Sequence, residues 1–313
     1  MNNYIILFMI ELYVNKLFET LPKNIKNDKK PIEIDLVLEG GAFNGSYLVG
    51  SLLFLKKLEK HHIIEIKRIS GSSIGSFMGL LYFMDSLDLV YELYDIILND
   101  FKKNYFININ NIITNHFKNV VPSNICSKID NKLYISYNNI KKRKKITVSK
   151  YKNVDFLLDT IIKSCFMPIF IDKKIFYKNK YVDGFLPYIF PLQKQRKILY
   201  LDITSNSKMY SSLNVKNENS NFHRVMAGLI DTHKFFIKNH NTEFCSYVND
   251  WGITKKVYNK CKNMLERFFI YILFIIYTSN KYITHENRNH FIYKTIQKCF
   301  YTLYVSFVKK YCI

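Results

Sequence analysis

Residues Ile63-Ile64-Glu65-Ile66-Lys67-Arg68-Ile69-Ser70-Gly71-Ser72-Ser73-Ile74-Gly75-Ser76-Phe77-Met78-Gly79-Leu80-Leu81-Tyr82-Phe83-Met84 decide how this chain is read. The run from Ile63 to Ser70 is rich in β-branched residues and predicts a strand; Phe77–Met84 has the apolar density of a helix. Between them, Gly71-Ser72-Ser73-Ile74-Gly75 sets a Gly-x-Ser-x-Gly at a strand-to-helix turn. Flanking glycines let such a turn bend sharply and leave room around a serine held in a strained conformation. The helix that follows aims its free N–H groups and positive dipole end at any anion formed there. Gly and Ser also make ordinary turns. The position between strand and helix is what makes Ser73 a candidate nucleophile.

Upstream, Ile34-Asp35-Leu36-Val37-Leu38 reads as a buried strand, followed by Glu39-Gly40-Gly41-Ala42-Phe43-Asn44-Gly45. The apolar spacing from Ser46 to Leu58 predicts a helix. A glycine-rich turn opening a helix suits a phosphate or an oxyanion. A phosphate loop of the Walker kind is disfavoured, since Ser46 stands where its lysine belongs, and Ala42 and Asn44 break a dinucleotide fingerprint. With a serine elbow after the very next strand, the oxyanion reading is preferred over a turn without a ligand.

A third element, Tyr181-Val182-Asp183-Gly184, closes a short apolar segment. It follows Ser164-Cys165-Phe166-Met167-Pro168-Ile169-Phe170, which reads as a helix ended by proline. Taken alone, Asp-Gly is a turn. In order, spacing and flanking segments, the three elements resemble the patatin-like phospholipase family over roughly Asp35 to Pro191. That resemblance implies a Ser–Asp dyad: Ser73 as nucleophile and Asp183 as proton acceptor. It also implies an oxyanion hole from Gly40, Gly41, Ala42, Phe43, Asn44 and Gly45, an elbow of Gly71, Ser72, Ile74 and Gly75, and an Asp-Gly motif of Asp183, Gly184 and Phe185. The chain departs from the family at Asn44, usually Arg or Lys, and at Phe185, usually Gly or Ala. The first departure removes a charge; the second is expected to reshape the pocket wall or narrow access.

The implied activity is that of a lipid acyl hydrolase working through an acyl-serine intermediate. The alternative, motivated by Asn44 and Phe185, is a catalytically weak or inactive patatin-like protein that binds lipid or a partner. His223, His233 and His240 follow Asp183 in an order that also permits a Ser…Asp…His triad, although none stands in a recognisable strand-end loop. His61 and His62 are expected to face solvent. Cys126, Cys165, Cys245, Cys261, Cys299 and Cys312 show no C-x-x-C spacing, and the apolar-flanked ones read as reduced core residues. No cofactor or metal site is implied.

At 313 residues the chain can bury a substantial core. Strands alternating with helices predict an α/β fold: a patatin-like three-layer sandwich with a mainly parallel central sheet and a helical C-terminal extension. The expected division is an N-terminal amphipathic segment over 1–33, a catalytic domain over 34–204, and a linker with helices over 205–313. The polar stretch from Ser205 to Ser220 reads as loop or linker. Phe268–Tyr277 is too short to span a bilayer and reads first as a buried core helix, second as an interfacial one.

The net charge of +21 comes mainly from lysine, the arginines being Arg68, Arg143, Arg196, Arg224, Arg267 and Arg288. Abundant Lys, Asn, Ile, Tyr and Phe also follow from an AT-rich genome, so the charge competes with compositional bias. Its functional reading is attraction to an anionic membrane surface. The densest run, Lys141-Lys142-Arg143-Lys144-Lys145, falls in an expected hairpin loop without a nucleic-acid motif. Met1–Ile10 has neither a basic start nor a small-residue cleavage site, so no cleavable signal peptide is expected. The sequence is read as an intracellular protein open to peripheral membrane association, acting on phospholipid or another acyl lipid.

Overall fold

The computed structural model describes residues 3–26, 30–205, 208–238, 240–282 and 291–313. Met1 and Asn2 of the N-terminal segment, Asn206 and Ser207 of the polar stretch, and Arg288 lie outside the described residues.

The strands are β1 (Ile32–Leu38), β2 (Ile64–Ser72), β3 (Leu133–Asn139), β4 (Lys144–Val148), β5 (Tyr181–Val182), β6 (Lys197–Leu201) and β7 (Cys245–Tyr247). They form one 7-stranded sheet in the order β4-β3-β2-β1-β6-β7, with β5 joined to β3 beyond the end of β2. β3, β2, β1 and β6 run parallel; β4, β5 and β7 are antiparallel to their neighbours. The fold is the expected α/β sandwich with C-terminal helices.

The helices are α1 (Asn3–Glu19), α2 (Lys23–Lys26), α3 (Gly45–Lys60), α4 (Ile74–Met84), α5 (Leu89–Asn104), α6 (Ile109–Ile112), α7 (Ile125–Ile129), α8 (Val154–Cys165), α9 (Phe222–Lys238), α10 (Ile253–Tyr282) and α11 (Phe291–Tyr311). Side chains alternate across a strand. Leu36 and Leu38 of β1 join the main core with α1, α3, α4, α8 and α9, while Val37 faces the other way onto Phe190, Tyr200 and Trp251. A strand covered on both faces must be apolar throughout, which is why Leu36-Val37-Leu38 shows no polar alternation.

Helices α3 and α9 cross at a pair of glycines. A Cβ on Gly50 would stand 1.9 Å from the Val225 carbonyl oxygen, and one on Gly228 1.9 Å from that of Tyr47. Buried Asp35 is held between Arg68 of β2 and Arg196, so its charge is paired where water is absent. The polar stretch before α9 is stitched to the body: Val215 is fully buried and its N–H donates to the Cys312 carbonyl at 2.7 Å.

Two expectations are corrected here. Phe268–Tyr277 lies within α10, where Ile270 and Leu273 are buried but Phe268, Tyr271, Ile272 and Ile275 are exposed. The segment is therefore not a core helix; one face packs and the other does not. Among the described residues, no helix is long and apolar enough to cross a membrane. The lysine run does enclose the β3–β4 turn, but Lys144 and Lys145 belong to β4. Lys145 turns inward to pair with Glu266 at 2.7 Å, so the run is not one solvated patch. All six cysteines are free; Cys245 and Cys312 are buried, Cys126 and Cys165 are half-buried, with Cys165 on the wall of an apolar cavity, and Cys261 and Cys299 are exposed.

Candidate active site

Ser73 sits at the carboxyl end of β2 with φ 50° and ψ −133°, a conformation L-residues rarely adopt. The elbow is possible because of its glycines. A Cβ on Gly71 would lie 2.5 Å from the Gly75 backbone, and one on Gly75 2.4 Å from the Leu38 carbonyl oxygen. The start of α4 can therefore close onto the end of β1. Its strained backbone is held in place. The Ser73 N–H donates to Ser164 Oγ at 2.9 Å, and Ser164 Oγ donates in turn to the Ser136 carbonyl at 2.7 Å. Ser76 Oγ donates to the Ser73 carbonyl at 2.7 Å.

Asp183 approaches from the opposite direction. β2 pairs with β3 up to Ser72↔Ser136, and β5 pairs with the same strand at Val182↔Asn138. Gly184 passes where no side chain fits, since a Cβ there would meet the Ser136 carbonyl oxygen at 2.1 Å. The Asp183 N–H donates to the Phe166 carbonyl at 2.9 Å, and Asn138 Nδ2 donates to the Asp183 carbonyl at 2.9 Å. The buried Asp183 carboxylate accepts from the Phe185 N–H at 2.6 Å and stands close enough to the Ser73 hydroxyl for that group to favour its ionised form. Burial pushes it up to about 7; the Ser73 hydroxyl and the Phe185 N–H oppose the rise, the Glu266 charge adds to it, and Lys145 lowers it. A carboxyl near neutrality is matched to accepting a proton at ordinary pH.

The glycine-rich loop packs beside the serine: a Cβ on Gly40 would come within 2.8 Å of the Ser73 Cβ. Its second half forms a tight helical turn over Ala42–Asn44, with the Asn44 N–H bonded to the Gly41 carbonyl and the Gly45 N–H to those of Ala42 and Phe43. The N–H groups of Asn44 and Gly45 are thus engaged within the turn. The Asn44 side chain is fully buried and points away from Ser73. It donates to the Ile203 and Lys208 carbonyls at 2.8 and 2.9 Å, and accepts from Ser211 Oγ and from Arg224 Nη1, the latter at 2.5 Å. Arg224 itself is fully buried and paired with Glu218.

From Ser73 an apolar cavity runs between α4, α5, α8 and the segment 107–117. Ile74, Phe77, Leu93, Ile97, Ile113 and Ile161 line it, and Ala42, Phe43 and Gly45 stand at its Ser73 end. An almost wholly apolar cavity beside one hydroxyl suits a hydrocarbon chain next to a reacting carbonyl. Phe185 does not line it. Its ring meets Phe269 of α10 edge-on, with centroids 5.2 Å apart, and its carbonyl accepts from Ser72 Oγ at 2.7 Å. Phe185 ties the Asp-Gly turn to α10 and leaves the pocket wall unchanged.

The histidines lie elsewhere. His233 is bonded to Thr20 at 2.9 Å, His223 lies 3.4 Å from Glu218, and His240, like His61 and His62, is exposed. None of the described contacts brings a histidine to Ser73 or Asp183.

These features define a class. The chain belongs to the patatin-like phospholipase family, whose sequence model matches residues 36–193. Among its relatives is the mouse (Mus musculus) protein named 1-acylglycerol-3-phosphate O-acyltransferase Pnpla3. The two are 29% identical over 159 residues, which make up 48% of this chain and 38% of the mouse protein. The human (Homo sapiens) protein of the same name is 24% identical over 158 residues, 48% of this chain and 33% of the human one. The matched part therefore spans well under half the length of either relative.

Sequence reasoning missed Ser164, Ser136, Asn138, Lys145, Glu266 and Arg224. Each acts through contacts between residues far apart in the chain, and none stands in a local motif. Only Ser164 offered a signal, as a polar residue on the inner face of a helix leading toward the aspartate.

Proposed function

We propose that this chain is a lipid acyl hydrolase in which Ser73 is the nucleophile and Asp183 the proton acceptor. The observation that carries this reading is the placement of Ser73, on a strained strand-to-helix elbow, beside a buried Asp183 at one end of an apolar cavity. Ser73 Oγ attacks the acyl carbonyl carbon as its proton passes to Asp183. The oxyanion is held by N–H groups from Gly40 to Phe43 and by the amino ends of α3 and α4. Collapse expels the alcohol, which takes the proton from Asp183 and leaves acyl-Ser73. Water, deprotonated by Asp183, then releases the fatty acid.

Substrates are phospholipids or other acyl lipids, with the acyl chain in the cavity and an anionic membrane surface attracted by the lysine excess. On this reading the protein is intracellular and peripheral to the membrane. Residues 34–204 carry the chemistry, and 1–33 and 205–313 support it. A weak or inactive lipid-binding protein is less well supported, because neither Asn44 nor Phe185 enters the cavity. Acyl transfer is a second reading favoured by the relatives' names: the acyl-serine would pass to a lipid hydroxyl instead of water.

The test is hydrolysis across a panel of phospholipids and neutral lipids, with and without a lysophospholipid acceptor. Fatty acid release that disappears in Ser73→Ala and in Asp183→Asn supports the hydrolase. Acylated acceptor as the main product supports the transferase. No turnover by folded wild type on any member removes both.

A further inference from the structure

Helix α10 turns Lys262, Glu266, Ile270 and Leu273 toward the protein and an apolar stripe outward. Lys262 donates to Glu39 at 2.8 Å and to Asp202 at 3.3 Å, while Glu266 accepts from Lys145 at 2.7 Å and from Asn138 at 3.1 Å. Ile270 and Leu273 continue this inner face against Ile140 and Val182. The helix therefore crosses the carboxyl-end edge of the sheet. It grips Glu39, just before the glycine-rich loop, and Asn138, which holds the Asp183 carbonyl.

On the opposite face Val257, Met264, Leu265, Phe268, Tyr271 and Ile275 are exposed, Leu265 at 68% and Phe268 at 64%. At 3.6 residues per turn these positions form one stripe. Soluble surfaces rarely leave so large a contiguous apolar face in water without a use for it.

Charge selects what covers the stripe. Glu266 is the sole acidic residue between Ile253 and Tyr282, and it faces inward. Exposed Lys256, Lys260 and Arg267 follow one border of the stripe. A second copy would bring the same basic border from a chain of net charge +21. An anionic bilayer brings the complementary charge and an apolar interior. An apolar stripe with a basic border is the pattern of a helix lying in a lipid interface.

We propose that the outward face of α10 is the surface by which this protein seats itself on an anionic lipid bilayer. Met264, Leu265 and Phe268 enter the boundary between headgroups and acyl chains, and Lys256, Lys260 and Arg267 meet lipid phosphates. Its purpose rests on the lipid-hydrolase reading, but its test does not. Binding is measured on the full chain in a Ser73→Ala background, so turnover plays no part, and an active hydrolase could still fail it.

The probes are vesicles of phosphatidylcholine alone and of phosphatidylcholine with phosphatidylglycerol. Phe268→Trp emission should be quenched by brominated acyl chains in the anionic vesicles, while the buried Trp251 background is not. Met264→Asp with Phe268→Asp, both at exposed positions, should cut affinity for anionic vesicles by on the order of 100-fold with the melting temperature preserved. Neutralising Lys256, Lys260 and Arg267 should flatten the salt dependence. Unquenched Phe268→Trp emission overturns the proposal, as does equal binding by the double variant. Binding indifferent to lipid charge and salt also overturns it, and so does a dimer in solution that the double variant dissociates, which would make the face a contact between copies.

Discussion

Ser73 and Asp183 are delivered toward each other, from opposite directions, along a single edge of β3. The strand that delivers the serine ends opposite Ser136, and the strand that delivers the aspartate, running the other way, ends opposite Asn138. Their separation is therefore fixed by backbone pairing to one common strand, not by the packing of two flexible loops. On the proposed function this pairing would preorganise the dyad, so that its geometry is set by folding and costs little at the moment of reaction. Asp183 is buried in the same stroke, and burial is what makes a carboxyl basic enough to serve.

The pH profile follows from that burial. Only ionised Asp183 can accept the proton, so kcat/KM should fall on the acid side with a midpoint of about 7. Glu266→Gln removes a charge that raises the carboxyl and should move the midpoint down; Lys145→Met removes one that lowers it and should move the midpoint up. Stability has the opposite sense. Since the folded pKa exceeds the ordinary value, Asp183 opposes folding increasingly as pH rises from 3.8 to about 7, and steadily above that. Asp183→Asn should be more stable than wild type at pH 8 and equal to it at pH 4. An acid midpoint near 4 in the rate profile would contradict the assignment.

Ser164 positions the elbow. Its hydroxyl accepts from the Ser73 N–H and donates to the Ser136 carbonyl. Ser164→Ala leaves a buried donor and a buried acceptor unpaired, a loss of about 1–3 kcal/mol in denaturant unfolding. Because Ser73 is then free to shift, kcat should drop by roughly 10-fold or more while KM changes little. A variant as stable and as fast as wild type would show that the bridge is incidental.

Arg224 anchors the glycine-rich loop from α9. It bonds to the Asn44 side chain and to the Ser211 and Asn214 carbonyls, and pairs with Glu218. Arg224→Met leaves Glu218 with an uncompensated charge and should cost about 3–5 kcal/mol. Arg224→Lys should recover only part, because an ammonium cannot fill several directed contacts at once. Loss below ~1 kcal/mol in Arg224→Met would contradict a structural role for the pair.

Ile113 lies in a π-helical turn, Ile113–Phe117, that lines the cavity. Ile113→Trp fills space that a long acyl chain would occupy. Kinetics on a chain-length series should show long-chain kcat/KM reduced by on the order of 10-fold while short-chain esters react nearly as before. An equal effect at all lengths would place the acyl chain elsewhere.

Much of this was legible in the sequence, for a physical reason. The strand–Gly-rich turn–helix units over Ile34–Leu58 and Ile63–Met84 are local, and local periodicity and turn chemistry report them. Their glycines mark close backbone approaches, such as Gly75 against Leu38. Side-chain contacts between distant segments were not legible: Ser164 with Ser73, Asn138 with Asp183, Arg224 with Asn44. Phe185 was read as a pocket residue because its motif adjoins the nucleophile, yet it packs onto Phe269 more than eighty positions later. The hydropathy of Phe268–Tyr277 suggested burial, but hydropathy records which residues avoid water and not which surface covers them.

The central claim is that Ser73 attacks with Asp183 as its base, and its most direct test is the site and rate of covalent capture by a fluorophosphonate. Mass spectrometry of the intact chain and of its peptides should find one adduct, on Ser73. The adduct should be absent in Ser73→Ala and formed at least 100-fold more slowly in Asp183→Asn, an order of magnitude expected for loss of a general base. His223→Ala, His233→Ala and His240→Ala should be captured at close to the wild-type rate. An adduct that persists in Ser73→Ala would contradict the account, as would wild-type rates in Asp183→Asn or a rate that collapses when one of those histidines is removed from folded protein.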